Sequence, residues 1–171
     1  MQAYVPQHLE RFLYTLRLVS REVTHLQETQ KRLFDAGLIS ADWVKNLTAD
    51  DPAQDTLEAF ASRFGRLQNS LADKLLPRLA LLEGEKPGSA IDNLNRAERL
   101  GLISSTKGWL AMRALRNKLV PEYVDDPSEF ANALNQAESF VPELVDAYQR
   151  IRTRAEQRLG TNQARLFDSS S

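Results

Sequence analysis

The sequence predicts an all-α fold, an antiparallel up-and-down bundle of four to five main helices. One domain is expected over residues 1–160, with a flexible polar tail at 161–171. Three observations carry this. Apolar residues recur three and four apart along nearly the whole chain, the spacing of one helix face. No stretch alternates apolar and polar over the length of a strand; even KLLPRLALL fits a helical stripe better. Each apolar stripe is also bracketed by residues that start or stop helices.

The first helix carries Leu9, Phe12, Leu13, Leu16, Val19, Val23 and Leu26, and Leu33 and Phe34 resume the stripe. Pro6 suits its first turn and Gly37 a left-handed stop. SADWVKNL reads as a short helix capped by Ser40. Asp51-Pro52 opens a long helix with Leu57, Phe60, Phe64, Leu67, Leu71, Leu75, Leu79 and Leu82 on one face. Pro77 lies inside it and should kink it, because proline removes a backbone donor. After the GEKPGS loop, Ser89 caps a shorter helix that ends at Gly101. Ser105 or Thr106 opens the next, with Trp109, Met112, Leu115 and Leu119. Asp126-Pro127 begins the last long helix, which contains Pro142 as a second expected kink. AGLISADW and LGLISSTKGW echo one another: helix stop, apolar pair, serine cap, tryptophan. The echo reads as recurring helix-loop-helix chemistry rather than a duplicated domain.

With 171 residues, the chain is long enough to bury a substantial core. An apolar content of 42% with 26% charged residues is ordinary for a globular protein. A formal charge of −1 gives no overall attraction to nucleic acid or membrane, though a local basic site remains open. The chain has no cysteine, so no disulfide framework and no thiolate metal site is expected. The opening MQAYVPQHLERFLY lacks the basic and apolar regions of a secretion signal, and no apolar run reaches a membrane span. The expectation is a soluble, cytoplasmic protein without membrane association.

Catalytic inventories are thin. His8 and His25 are the only histidines and do not share adjacent helical turns, so no metal site is expected. Six of the seven glycines fall at predicted helix ends or loops, so none forms a phosphate-cradling loop; Gly65 alone lies inside a helix. Asp73, in the middle of the long second helix between Leu71 and Leu75, either faces solvent or lines a site beside Arg116. The informative stretch is WLAMRALRNKLVPEYVDDP, where Arg113, Arg116 and Lys118 form a small basic cluster near Tyr123. Arginine offers phosphate a planar fork of donors, and tyrosine can stack on a base or present its hydroxyl. An Arg-Asn pair at a helix end equally serves to compensate the helix dipole. The residues themselves therefore reach an anion or nucleotide site and no further.

The order AIDNLNRAERLGLISSTKGWLAMRALRNKLVPEYVDDPSEFANAL resembles the HEPN superfamily. More narrowly it is similar to the HepT-type toxins encoded beside a minimal nucleotidyltransferase (MNT) antitoxin. Their signature is commonly Arg-Asn-x-x-x-His-x-Tyr; Arg116, Asn117 and Tyr123 match it, and RFGRLQNSLADKLLPRL looks like the family's second-helix segment. The resemblance spans residues 10–155. It implies a homodimer, an MNT-type nucleotidyltransferase partner, RNA as substrate and metal-independent cleavage without a cofactor. Arg116, Asn117 and position 121 would then be catalytic, Arg113 and Lys118 would bind RNA phosphate, and Asp73 would be a minor contributor. Tyr123 would be the candidate for adenylylation by the partner, or else packs over the helix end. One departure matters: the family histidine falls at position 121, which is Pro121. Histidine can take and return a proton near neutrality; proline cannot. The resemblance thus implies a HepT-like protein with weakened or lost ribonuclease activity. The alternative is a non-catalytic helical binding subunit, or substrate-binding partner, of a nucleotidyltransferase.

Overall fold

The computed structural model describes residues 4–119 and 125–159. Its elements are α1 (Pro6–Leu33), α2 (Ala41–Lys45), α3 (Pro52–Asn69), a π-helical segment (Ser70–Leu75), α4 (Leu76–Leu82), α5 (Ala90–Arg99), α6 (Thr106–Arg116), a 3-10 turn (Asn117–Leu119) and α7 (Pro127–Leu159). No strand occurs among the described residues, and none of their helices is long and apolar enough to cross a membrane. Because α3, the π segment and α4 follow without a break, the main bodies are α1, the 52–82 run, α5, α6 and α7. This is an all-α helical bundle.

Helix starts and stops follow their local chemistry. The Ser40 hydroxyl accepts from the Trp43 amide, and an Asp51 carboxylate oxygen accepts from Ala53 ahead of Pro52. Ser89 and Asp92 form a reciprocal capping box, each side chain accepting from the other's backbone amide. Of the two residues expected to open α6, Ser105 is the cap: its Oγ accepts from Gly108. Asp126 accepts from Glu129 at the start of α7. Gly37 and Gly101 take positive φ, 100° and 73°, where a side chain would be strained.

The two internal prolines behave differently. At Pro77 the chain answers with a widened turn: the π-helical segment lies just before it, and the Leu76 amide bonds back to the Leu71 carbonyl. A ring without an N–H, which also clashes with the carbonyl four residues back, favours such a turn. At Pro142 the ring is exposed and α7 continues unbroken through it. The tail at 161–171 lies outside the described residues.

The core forms where the apolar stripe of α1 (Phe12, Leu16, Val19, Leu26) meets that of the 52–82 run (Phe60, Phe64, Leu67, Leu71, Leu75). Trp109 and Met112 of α6 and Leu134, Leu144 and Ile151 of α7 close over it. Phe60 is central, edge-on to Phe34 at 5.3 Å and stacked with Phe64 at 6.2 Å. Polar links run along the same seam. Arg78 bonds the Thr15 hydroxyl, Ser70 donates to Glu22 at 3.0 Å, and Arg63 bonds the Thr29 hydroxyl. Their opposite order on the two helices sets α1 antiparallel to the run. Both threonines are fully buried, and each also donates to the carbonyl one turn back at 2.8 Å, so neither hydroxyl is left bare. Elsewhere the Asn135 amide clasps the Ile39 backbone in both directions, at 2.8 and 2.9 Å, docking the α1–α2 connection on α7.

Two carboxylates have opposite electrostatics. Burial pushes Glu22 above the ordinary carboxylate value of 4.5, despite the Ser70 hydrogen bond and the charges of Arg66 and Lys74. Burial would also raise Glu83, but the hydrogen bond and charge of Arg154, then Arg96 and Arg158, outweigh it and hold that carboxyl below 4.5. Glu83 has a side chain only 6% exposed, and joins α4 to α5 and α7: Arg154 binds it through Nε at 2.5 Å and Nη2 at 3.0 Å, Arg96 at 3.0 Å.

The linkage signs differ accordingly. Glu83 binds fewer protons folded than unfolded, so its contribution is present above pH 4.5 and is lost as pH falls through its lower folded pKa. Glu83→Gln is expected to cost about 3 kcal/mol in denaturant unfolding at neutral pH, since it leaves two arginines partnering a neutral amide. Glu22 is the reverse: its contribution is present below pH 4.5 and is lost as pH rises through its raised folded pKa. Thermal melts of Glu22→Gln should therefore show no loss of stability at neutral pH and a flatter profile above pH 4.5 than the wild type; a variant destabilised only at neutral pH would contradict this.

Candidate functional site

The α6 stripe faces the core with Trp109, Met112 and Leu115; Arg116, seven residues after Trp109 and four after Met112, continues the edge of that face at the helix end, with Arg113 beside it. There they meet the flank of α3. The result is an open cleft of about 730 Å³ lined by Glu58, Ser62, Gly65, Arg66, Asn69, Arg113, Arg116 and Asn117, with Ala61 and Leu119 as its apolar part. Three arginines against one glutamate make it cationic. Its size is that of a small-ligand site, within the roughly 300–1,000 Å³ usual for such pockets.

Arg116 is held from across the cleft. Its Nη1 donates to Asn69 Oδ1 at 2.7 Å, a short bond between a charged donor and a neutral acceptor. It also lies against the backbone of α3 at Gly65: a Cβ there would stand 2.8 Å from Arg116 Nε and 3.2 Å from Nη2. The planar guanidinium thus packs where only a glycine leaves room, half-buried, with its charge uncancelled by any carboxylate among the described residues. Part of the positive charge of Arg113 and Arg116 compensates the C-terminal end of α6. The remainder faces the cleft, where fork-shaped donors can take an oxyanion.

The sequence-derived candidates separate. Arg113, Arg116 and Asn117 share the cleft. Lys118 leaves the basic cluster: it lines a neighbouring hollow with Asp125, Asp126 and Glu129, and pairs with Glu129 at 3.9 Å where both are exposed. Asp73 is exposed and lines a shallow depression with Asn69, Leu110 and Arg113, beside the cleft rather than in it. Pro121 and Tyr123 lie outside the described residues. Neither His8 nor His25, both on α1, lines the cleft. Among the described residues no group of three or more histidines and carboxylates could hold a metal ion.

Glu58, Ser62, Arg66 and Asn69 line the cleft without having been singled out in the sequence, and Gly65 stood out only as a helix-interior glycine. Gly65 had a signal: a glycine inside a helix is about 1 kcal/mol worse than alanine, so one there points to a close approach. Asn69 had none, because an asparagine on a helix flank looks the same whether it meets solvent or an arginine.

No protein-family model, no curated protein and no solved structure matches the chain.

Gly65→Ala separates fold from site. Alanine improves the helix by about 1 kcal/mol, while its methyl group displaces the flexible end of Arg116. The variant is expected to melt at or above the wild-type temperature, yet to shift the Arg116 Nε–Hε resonance in NMR, identified by its loss in Arg116→Lys. An unmoved resonance would show that the guanidinium does not rest on Gly65.

Proposed function

We propose that the chain is a HepT-like protein of the HEPN superfamily that binds RNA phosphate in the Arg116 cleft and cleaves RNA weakly or not at all. The observation that carries this is Arg116 itself. It is the motif arginine of the family resemblance, and it lies half-buried in a cationic cleft beside Asn117 and Arg113, braced by an uncharged partner that leaves its charge available. A purely dipole-compensating arginine would need neither Asn69 nor the space above Gly65.

The chemistry of cleavage requires more than a cation. Attack of a ribose 2′-hydroxyl on the adjacent phosphate needs a group that accepts its proton and another that protonates the leaving oxygen. Guanidinium remains protonated and serves only to hold the phosphate and stabilise its developing charge. Position 121, where the family carries histidine, is proline and has no titratable group. Loss of general acid-base catalysis costs about 10²–10⁴-fold in rate. In this reading the protein acts as a homodimer with an MNT-type nucleotidyltransferase partner, and Tyr123 is the residue that partner would adenylylate.

The second reading, a non-catalytic helical subunit that binds a nucleotidyltransferase, is favoured by the same proline. The two diverge on reversion. Under the first, Pro121→His raises RNA cleavage about 10²–10⁴-fold over wild type, and Arg116→Ala on that background removes the gain. Wild type cleaving as fast as Pro121→His would sink the weakened-nuclease claim. No cleavage by the revertant, with complex formation surviving Arg116→Ala, would select the second reading.

A further inference from the structure

We propose that a second anion site, separate from the Arg116 cleft, lies where the end of α4 meets α5 and the last turns of α7, and that it takes the phosphate groups of a small ligand. Arg96 and Arg99 of α5, Arg154 and Arg158 of α7, and Glu83 and Glu85 after α4 line one concavity of about 470 Å³. Arg158 lies near the end of α7, roughly 45 Å from its start at 1.5 Å per residue. The Arg116 cleft is lined by α3, α6 and the 3-10 turn and shares no residue with this concavity.

Glu83 accounts for only part of this charge. Its two oxygens accept three hydrogen bonds, two from Arg154 and one from Arg96. Arg99 and Arg158 make no ion pair among the described residues, and both are exposed. Four arginines face two glutamates, which leaves the concavity with a surplus of two positive charges in a chain whose formal net charge is −1. Like charges at three- and four-residue spacing repel along a helix, which offsets the dipole compensation that Arg96 and Arg99 give the end of α5 and Arg158 the end of α7. Two of the four contact Glu83 directly. Arg158 acts on Glu83 through its charge alone and Arg99 has no ion pair among the described residues, so both keep donors for an anion.

Glu83 also prepares the site. By gripping Arg96 and Arg154 it orders their side chains in advance, lowering the conformational cost of binding there. Guanidinium forks match tetrahedral oxyanions, and a dianionic phosphate or diphosphate balances the surplus charge. The volume suits a small molecule rather than an extended strand.

Calorimetric titration of inorganic pyrophosphate at low salt tests this. In an Arg116→Ala background, which removes the cleft's own phosphate contact, one equivalent is expected to bind saturably, and adding Arg99→Ala/Arg158→Ala to weaken binding about tenfold or more, the loss expected from removing charge-assisted hydrogen bonds. Both side chains are exposed, so the double variant should remain folded and melt close to the wild-type temperature. Arg99→Lys/Arg158→Lys keeps charge without the fork and should fall between the two. Absence of saturable binding in the Arg116→Ala background, or undiminished affinity when Arg99→Ala/Arg158→Ala is added to it, would each overturn the proposal. An RNA oligonucleotide that binds through Arg99 and Arg158 when pyrophosphate does not would overturn the small-ligand assignment.

Discussion

The antiparallel seam between α1 and the run from Pro52 to Leu82 is the constraint on which the other packing rests. It buries the largest part of the core, and its three polar links lie between groups that water would otherwise solvate. Apolar side chains alone would tolerate sliding by a turn, because leucine against leucine is much the same one turn on. The links remove that freedom: a slip would strand Thr15, Glu22 and Thr29 against hydrocarbon, at the cost of unpaired buried polar groups. The widened turn at Ser70 sits in the middle of the seam, where Ser70 reaches Glu22 and Pro77 soon follows.

The cleft is a consequence of that seam. With the apolar face of α3 committed to α1, its opposite flank carries Gly65 and Asn69 outward, where α6 packs across it. Close approach at Gly65 and one hydrogen bond from Asn69 then give Arg116 a defined orientation. A long arginine side chain loses considerable rotamer entropy when held, and the absence of a Cβ at Gly65 together with a short charged hydrogen bond offsets that cost.

The two arginine-rich concavities use different anchors. Between α3 and α6, Arg116 leans on a neutral amide and keeps its charge; near the end of α7, Arg96 and Arg154 bind Glu83 directly, while Arg99 and Arg158 make no ion pair among the described residues. A nearly neutral net charge therefore hides two local cationic surfaces. Composition averages over the distances that decide binding, whereas charges act over about 10 Å in salt solution.

The sequence by itself determined where the helices begin and end. Ser40, Asp51, Ser89 and Ser105 cap because a side-chain oxygen reaches an amide two or three residues ahead, and Gly37 and Gly101 stop helices because glycine accepts positive φ. Such interactions close within one turn and need no partner from elsewhere. The twin GLIS segments mark the limit. Both follow a helix stop, yet Leu38 is 76% exposed while its counterpart Leu102 is buried, and the cap falls on Ser40 in one and on Ser105, one residue later, in the other. Likewise Arg113, Arg116 and Lys118 are neighbours in the chain, but only the first two turn toward α3. Tertiary structure decided these outcomes. Which flank of one helix faces which flank of another depends on how distant segments bury their apolar stripes, and a local stretch of residues carries no record of that.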